Sequence, residues 1–186
     1  MQRLVIDTET GGFKANEHSL LTVGMLLVDV SPKKLSFIDE KHILIKHDEY
    51  AVTKSALRIN GIDLFEHHKV GVFPDAALKN MHDFVSMHEL HETPLLGHNL
   101  HFDLGFLRSL CDTCSSSFPF AQKWDDTLFM WRSLRRKGLV NPYKDGKLGT
   151  VAQHFGLDSS LAHNALEDCK ITAHCFHEMM KMQAEE

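Results

Sequence analysis

The segment Ile6-Asp7-Thr8-Glu9-Thr10 closes an apolar run with two carboxylates one residue apart. In a strand that spacing projects both from the same face. Two such anions at about 4 Å, in an effective dielectric near 20, repel by about 4 kcal/mol, and a divalent cation between them reverses the sign. A second segment, residues 96–107, places Asp103 in the opening turn of a helix that follows a buried strand. The helix dipole favours a negative charge there, which by itself accounts for an acidic residue. In a third segment, residues 162–168, His163 stands five positions before Asp168 at the start of the last helical stretch. Taken singly, each segment has an ordinary reading: a solvated pair at a loop start, a dipole-compensating charge, a polar helix entry. The question is what fold would bring four carboxylates and a histidine together.

Residues 4–7 read as a short buried strand, and residues 20–30 and 35–46 as two more, joined across Ser31-Pro32-Lys33-Lys34 in an antiparallel meander. Apolar residues Ala77, Leu78, Met81, Phe84 and Val85 recur at helical spacing within 75–87, and residues 94–97 form another short strand. Helical patterns follow at 102–110, 126–137 and 148–155, and a last helix runs over about 163–182 with Ala165, Leu166, Cys169, Ala173 and Phe176 inward. Phe102 and Phe106, one turn apart, belong to the core. The order β-β-β-α-β-α-α-α implies an α/β domain with a mixed sheet.

With 186 residues, 43% of them hydrophobic, the chain is the size of one domain, expected to span 1–186. Its start lacks the charged, then apolar, then small-residue order of a secretory leader, which argues against secretion. The longest apolar stretch, residues 20–28, is too short for a membrane helix, so no membrane partner is expected. Four cysteines, too few and too unevenly placed for a disulfide framework, point to the cytoplasm. Cys111 and Cys114 have no second pair to complete a zinc site. Most of the 14 histidines are scattered singly, as solvated side chains are. A net charge of −5 excludes a broad electrostatic grip on duplex nucleic acid, so any such affinity must be local.

In order along the chain, Asp-x-Glu at Asp7 and Glu9, Gly-His-Asn-x-x-Phe-Asp ending at Asp103, and His-x-Ala-x-x-Asp from His163 to Asp168 resemble the three motifs of the DEDDh (DnaQ-like) exonucleases. That family includes the proofreading epsilon subunit of bacterial DNA polymerase III and ribonuclease T. Asp126-Thr127-Leu128 and the pattern from Leu148 to Leu157 also resemble the family's connecting segments, so the resemblance spans nearly the whole chain. Gly11-Gly12-Phe13 departs from the Thr-Gly of many members, and the loop over 138–146 has no role in the pattern.

The resemblance implies a ribonuclease H-like mixed five-stranded sheet flanked by helices. It also implies a metal-dependent 3′→5′ exonuclease that hydrolyses phosphodiester bonds at nucleic-acid 3′ ends and releases nucleoside monophosphates. Asp7, Glu9, Asp103 and Asp168 would hold two Mg²⁺ or Mn²⁺ ions, Asp7 bridging both. Hard oxygen ligands without cysteine suit those ions rather than zinc, and two ions about 3.5–4 Å apart can clamp the attacking and leaving oxygens. His163 would take a proton from the attacking water, as the side chain that titrates near neutral pH. His98 reads as packed or loop-capping, and His101 has no reason to face the metals.

By their places in the motifs, Thr10 and Asn99 would position the scissile nucleotide. Phe13 either stacks on the terminal base or is buried beneath its loop. Arg132, Arg135, Arg136 and Lys137 either track phosphates or form a solvated helix face. The expected substrate is single-stranded DNA with a free 3′ end, with the enzyme alone or bound to a DNA polymerase. RNA trimming of the ribonuclease T type is the second reading. A catalytically inactive binding module is the third, against which the intact set of five residues argues.

Overall fold

In a computed structural model, which describes residues 1–158 and 163–184, the meander is β1 (Gln2–Thr10), β2 (Leu20–Ser31) and β3 (Lys34–Leu44). Two short helices, α1 (Lys54–Asn60) and α2 (Leu64–Val70), precede α3 (Pro74–Met87), β4 (Leu95–Gly97) and α4 (Leu100–Thr113). Then follow β5 (Trp124–Asp126), α5 (Thr127–Arg136), α6 (Leu148–His154) and α7 (Ala165–Ala184). The sheet runs β3-β2-β1-β4-β5; β1 is antiparallel to β2 and parallel to β4, which is parallel to β5. This is the mixed five-stranded sheet that the family resemblance implies.

Three elements escape the hydrophobic pattern. β5, Trp-Asp-Asp, has no apolar run, and its neighbour β4 makes it a strand. Helix α1 buries none of its residues and α2 buries only His67, so neither carries an apolar stripe. Caps define them instead: Thr53 accepts from the Ala56 amide, Asp63 accepts from the Phe65 and Glu66 amides, and Gly61 ends α1 with a left-handed φ of 66°.

The sheet is covered on both faces, which is why β2 is buried from Leu20 through Val28. On one face Ile6 and Met25 pack with Met81 and Phe84 of α3 and with Leu104 and Leu107 of α4. On the other, Val5, Leu26 and Val28 lie under Cys169, Ala173 and Phe176 of α7. Beside that layer, Trp131, Val151 and Cys175 join α5, α6 and α7 in a third cluster.

The alternation of β1 now has a direction. Leu4, Ile6 and Thr8 face α3 and α4, so Asp7 and Glu9 share Val5's side, toward α7. Gly24 pairs with Asp7 across the β1–β2 ladder, and a Cβ there would lie 2.4 Å from the Ala165 carbonyl oxygen. Only glycine lets the first turn of α7 come down on β2, beside the strand that carries the carboxylates. All four cysteines are free, and among the described residues no helix is long and apolar enough to cross a membrane.

Candidate active site

At the end of β1, ligand oxygens of Asp7, Glu9 and Asp168 lie within 4.8 Å of one another. The strand supplies the first two by alternation. The third comes from the fourth residue of α7, whose entry is capped by Asn164: its side-chain oxygen accepts from the Leu166 and Glu167 amides. Asp103 approaches from the opposite face of the sheet. Its Oδ1 accepts from Thr8 Oγ1 at 2.6 Å, and it is buried in the first turn of α4. Asp103 lies outside the trio, yet its charge is the largest carboxylate influence on Asp7.

The electrostatics describe a site short of positive charge. Burial, and then repulsion by Asp103, Asp168 and Glu9, pushes Asp7 well above the usual carboxylate range. Burial followed by the charges of Asp168 and Asp103 raises Glu9 to about 8. Asp103 is pushed up to about 7 by burial, against the opposing hydrogen bonds from Thr8 and its own amide. Asp168 is raised by burial too, although the His163 amide donates to its Oδ2 at 3.1 Å. The other oxygen, Oδ1, is buried with no hydrogen-bond partner among the described residues. An unpaired buried carboxylate oxygen beside two more carboxylates fits a divalent cation, and the all-oxygen donor set suits a hard one.

His163 has a φ of 75°, a strained backbone for a residue with a side chain, held by the hydrogen bond that its amide donates to Asp168. With Asp168 and Asn99 it lines an open cavity of about 930 Å³, whose other lining residues include Arg132, Arg135 and Lys147. That volume is the size of a small-molecule pocket. His98 is fixed elsewhere: Nδ1 pairs with Thr127 Oγ1 at 2.8 Å and Nε2 donates to the Gly146 carbonyl at 2.7 Å. Of its two readings, packed or loop-capping, the bond to the Gly146 carbonyl selects the second. His101 is exposed.

The remaining residues sort as follows. Asn99 stands at the N-cap of α4 in a left-handed conformation, φ 63° and ψ 40°, and faces the cavity. Thr10 Oγ1 donates to the Gly12 carbonyl at 2.8 Å, which commits its hydrogen to the loop after β1. Phe13 is 79% exposed, so burial beneath that loop is excluded. The basic run divides, with Arg132 and Arg135 lining the cavity while Arg136 and Lys137 point elsewhere, both exposed.

Sequence reasoning passes over Thr8, Gly24 and Asp126 as parts of the site. Asp126 is buried and accepts from the amides of Asn99, Leu100 and Leu128, locking the β4–α4 turn to the start of α5. The Asp-Thr-Leu pattern was its one signal. The loop over 138–146 acquires a role as well. Trp131 Nε1 donates to the Asp145 carbonyl at 3.0 Å and Arg135 Nη2 to that of Pro142, which turns the loop into a cavity wall.

Comparison with known proteins fits this geometry. Residues 4–176 match the exonuclease family of the ribonuclease T type. Ribonuclease T of Wigglesworthia glossinidia brevipalpis is 26% identical over 184 residues, covering 95% of this chain and 83% of that protein. Among solved structures, E. coli exonuclease I in complex with a dT13 oligonucleotide has a TM-score of 0.84 at 21% identity, covering 99% of this chain and 42% of that one. The zinc-bound form of the exonuclease I complex with single-stranded DNA has a TM-score of 0.78 at 19% identity, covering 99% and 45%. This chain therefore spans under half the length of exonuclease I. The nuclease domain of 3′hExo, a DEDDh family member bound to rAMP, has a TM-score of 0.79 at 19% identity, covering 99% and 94%. The family match runs over nearly all of the chain and into the helix that carries Asp168, and so the chain belongs to the DnaQ-like 3′→5′ exonucleases, a family of hydrolases that act on nucleic acids.

Proposed function

We propose that residues 1–186 form one DEDDh exonuclease domain that removes nucleoside monophosphates, one at a time, from single-stranded 3′ ends. In this reading Asp7, Glu9, Asp103 and Asp168 hold two Mg²⁺ or Mn²⁺ ions, and His163 is the general base. The observation that carries it is the trio of carboxylates within 4.8 Å, whose Asp168 has a buried oxygen with no hydrogen-bond partner among the described residues and, with His163, lines a cavity that also presents Arg132, Arg135 and Lys147.

When bound, the ions supply charge neutralisation and Lewis acidity to the phosphodiester. The protein does the rest. Thr8 orients Asp103 by its short hydrogen bond, and the His163 amide orients Asp168. The His163 imidazole accepts a proton from the attacking water. Arg132, Arg135 and Lys147 draw the phosphates in. Asn99 meets the terminal nucleotide, Thr10 holds the shape of the loop after β1, and the exposed ring of Phe13 stacks on the terminal base.

DNA is the leading substrate, supported by the fold shared with exonuclease I bound to dT13. RNA is the second reading, favoured by the ribonuclease T match along 95% of this chain and by the rAMP-bound neighbour. Association with a DNA polymerase belongs to the DNA reading, and co-elution of the two proteins checks it. The free cysteines support a cytoplasmic site of action.

The test uses DNA and RNA oligonucleotides of one sequence, labelled at the 5′ end, with Mg²⁺, Mn²⁺, Zn²⁺ or chelator. Stepwise shortening from the 3′ end with Mg²⁺ or Mn²⁺ is expected. Faster turnover of RNA transfers the proposal to the second reading, and no shortening of either polymer overturns it.

A further inference from the structure

Outside the cavity, the edge of the sheet beside it exposes aromatic surface that the core does not use. Trp124 is 37% exposed and Phe129 48%, with ring centroids 5.9 Å apart at 46°. The Arg132 guanidinium lies 5.9 Å from the Phe129 ring, and Arg132 also lines the cavity. Phe129 and Arg132 are three residues apart on α5, hence on one side of it, while Leu128, Trp131 and Leu134 turn inward. The result is a continuous strip, Arg132 to Phe129 to Trp124, from the cavity onto the outermost strand.

Its charge suits a polyanion. The nearby carboxylate of Asp125 is paired with Arg3 at 2.7 Å, so its charge is compensated, while the exposed Arg132 lines the cavity. Exposed aromatic rings interleaved with arginine grip single-stranded nucleic acid without regard to sequence, because every base has a π-face. We propose that the nucleotides 5′ of the terminal pair leave the cavity past Arg132 and stack on Phe129 and Trp124. The proposal rests on the exonuclease reading only for its direction: the 3′ end in the cavity, the strand running outward. The DNA and RNA arms below distinguish the two sources of that strand.

The experiment has two readouts. In the first, kcat/KM is measured on oligonucleotides of two, four and eight nucleotides, as DNA and as RNA. For the wild type it should rise with length. Phe129→Ala and Trp124→Ala should flatten that rise, losing roughly five- to 100-fold on the longest substrate while dinucleotide turnover stays at the wild-type value. Phe129→Trp should restore it. The second readout needs no catalysis. Trp131 is fully buried, so quenching of tryptophan fluorescence by added strand reports Trp124. In chelator, an eight-nucleotide strand should quench and a dinucleotide should not, and Trp124→Phe should abolish the response. Unchanged length dependence in both alanine variants, or no quenching by the eight-nucleotide strand of either polymer, overturns the strip. Quenching without any cleavage would instead keep the strip and sink the exonuclease reading.

Discussion

Two buried aspartates lie near the same end of the sheet and live in opposite circumstances. Asp126 has both oxygens committed, accepting from three main-chain amides. Asp168 has one oxygen bonded to the His163 amide and the other buried without a partner among the described residues. A carboxylate whose lone pairs are filled by amides serves the fold, because removing it strands those donors. One left open beside two more carboxylates costs stability and is retained for a ligand.

The sharpest way to break that distinction is to neutralise each in turn. Asp168→Asn should take turnover to background and abolish the rise in Tm on adding Mg²⁺ or Mn²⁺, while the metal-free protein melts no lower than wild type because a repulsion has gone. A metal-free variant that melts well below wild type would make Asp168 a structural residue like Asp126.

His163→Ala comes next. It should lower single-turnover cleavage by roughly 10²–10⁴-fold and leave the metal-induced shift in Tm intact, since the side chain moves a proton and the main-chain amide bond to Asp168 survives. If His98→Ala or His101→Ala is dead while His163→Ala cleaves normally, the base is misassigned.

Asp126→Asn should reverse the pattern. One acceptor oxygen cannot serve three amides, so about 2 kcal/mol of stability is lost, a Tm roughly 4–8 °C lower, with turnover of the folded fraction retained. Calorimetry beside kinetics decides it.

The cluster also sets a pH dependence. Glu9 titrates near 4.5 when unfolded and at about 8 in the folded, metal-free protein. Asp103 goes from 3.8 to about 7. Both groups hold their protons more tightly folded than unfolded, so their contribution is full below about pH 4 and is lost as pH rises toward 8. Melting curves in chelator should therefore fall over that interval relative to Asp168→Asn, and saturating Mg²⁺ should flatten the fall. The smallest expected effect is that of Arg135→Ala with Arg136→Ala, which should weaken binding a few-fold at low salt and reduce the salt slope by about one, with chemistry unchanged.

Much of the site was legible because its determinants are local. Alternation in β1 puts Asp7 and Glu9 on one face, and the helix-opening position of Asp103 needs only the strand before it. Helices α1 and α2 were not legible, since caps rather than an apolar stripe make them, nor was β5, which is a strand only because β4 lies beside it. Asp126, Thr8 and Gly24 went unread for a different reason. Each acts through a partner distant in sequence, and a single chain read end to end does not show which residues will meet: Thr8 and Asp103 are 95 positions apart.

The seat that Gly24 makes for Ala165 gives the enzyme an order of assembly. Asp7 is made early and Asp168 late, and they meet only when α7 lays its first turn on β2. During synthesis the meander leaves the ribosome before that helix exists. Until it docks, one of the three clustered carboxylates is missing, so a half-made chain has no complete cluster to hold a metal beside a nucleic acid.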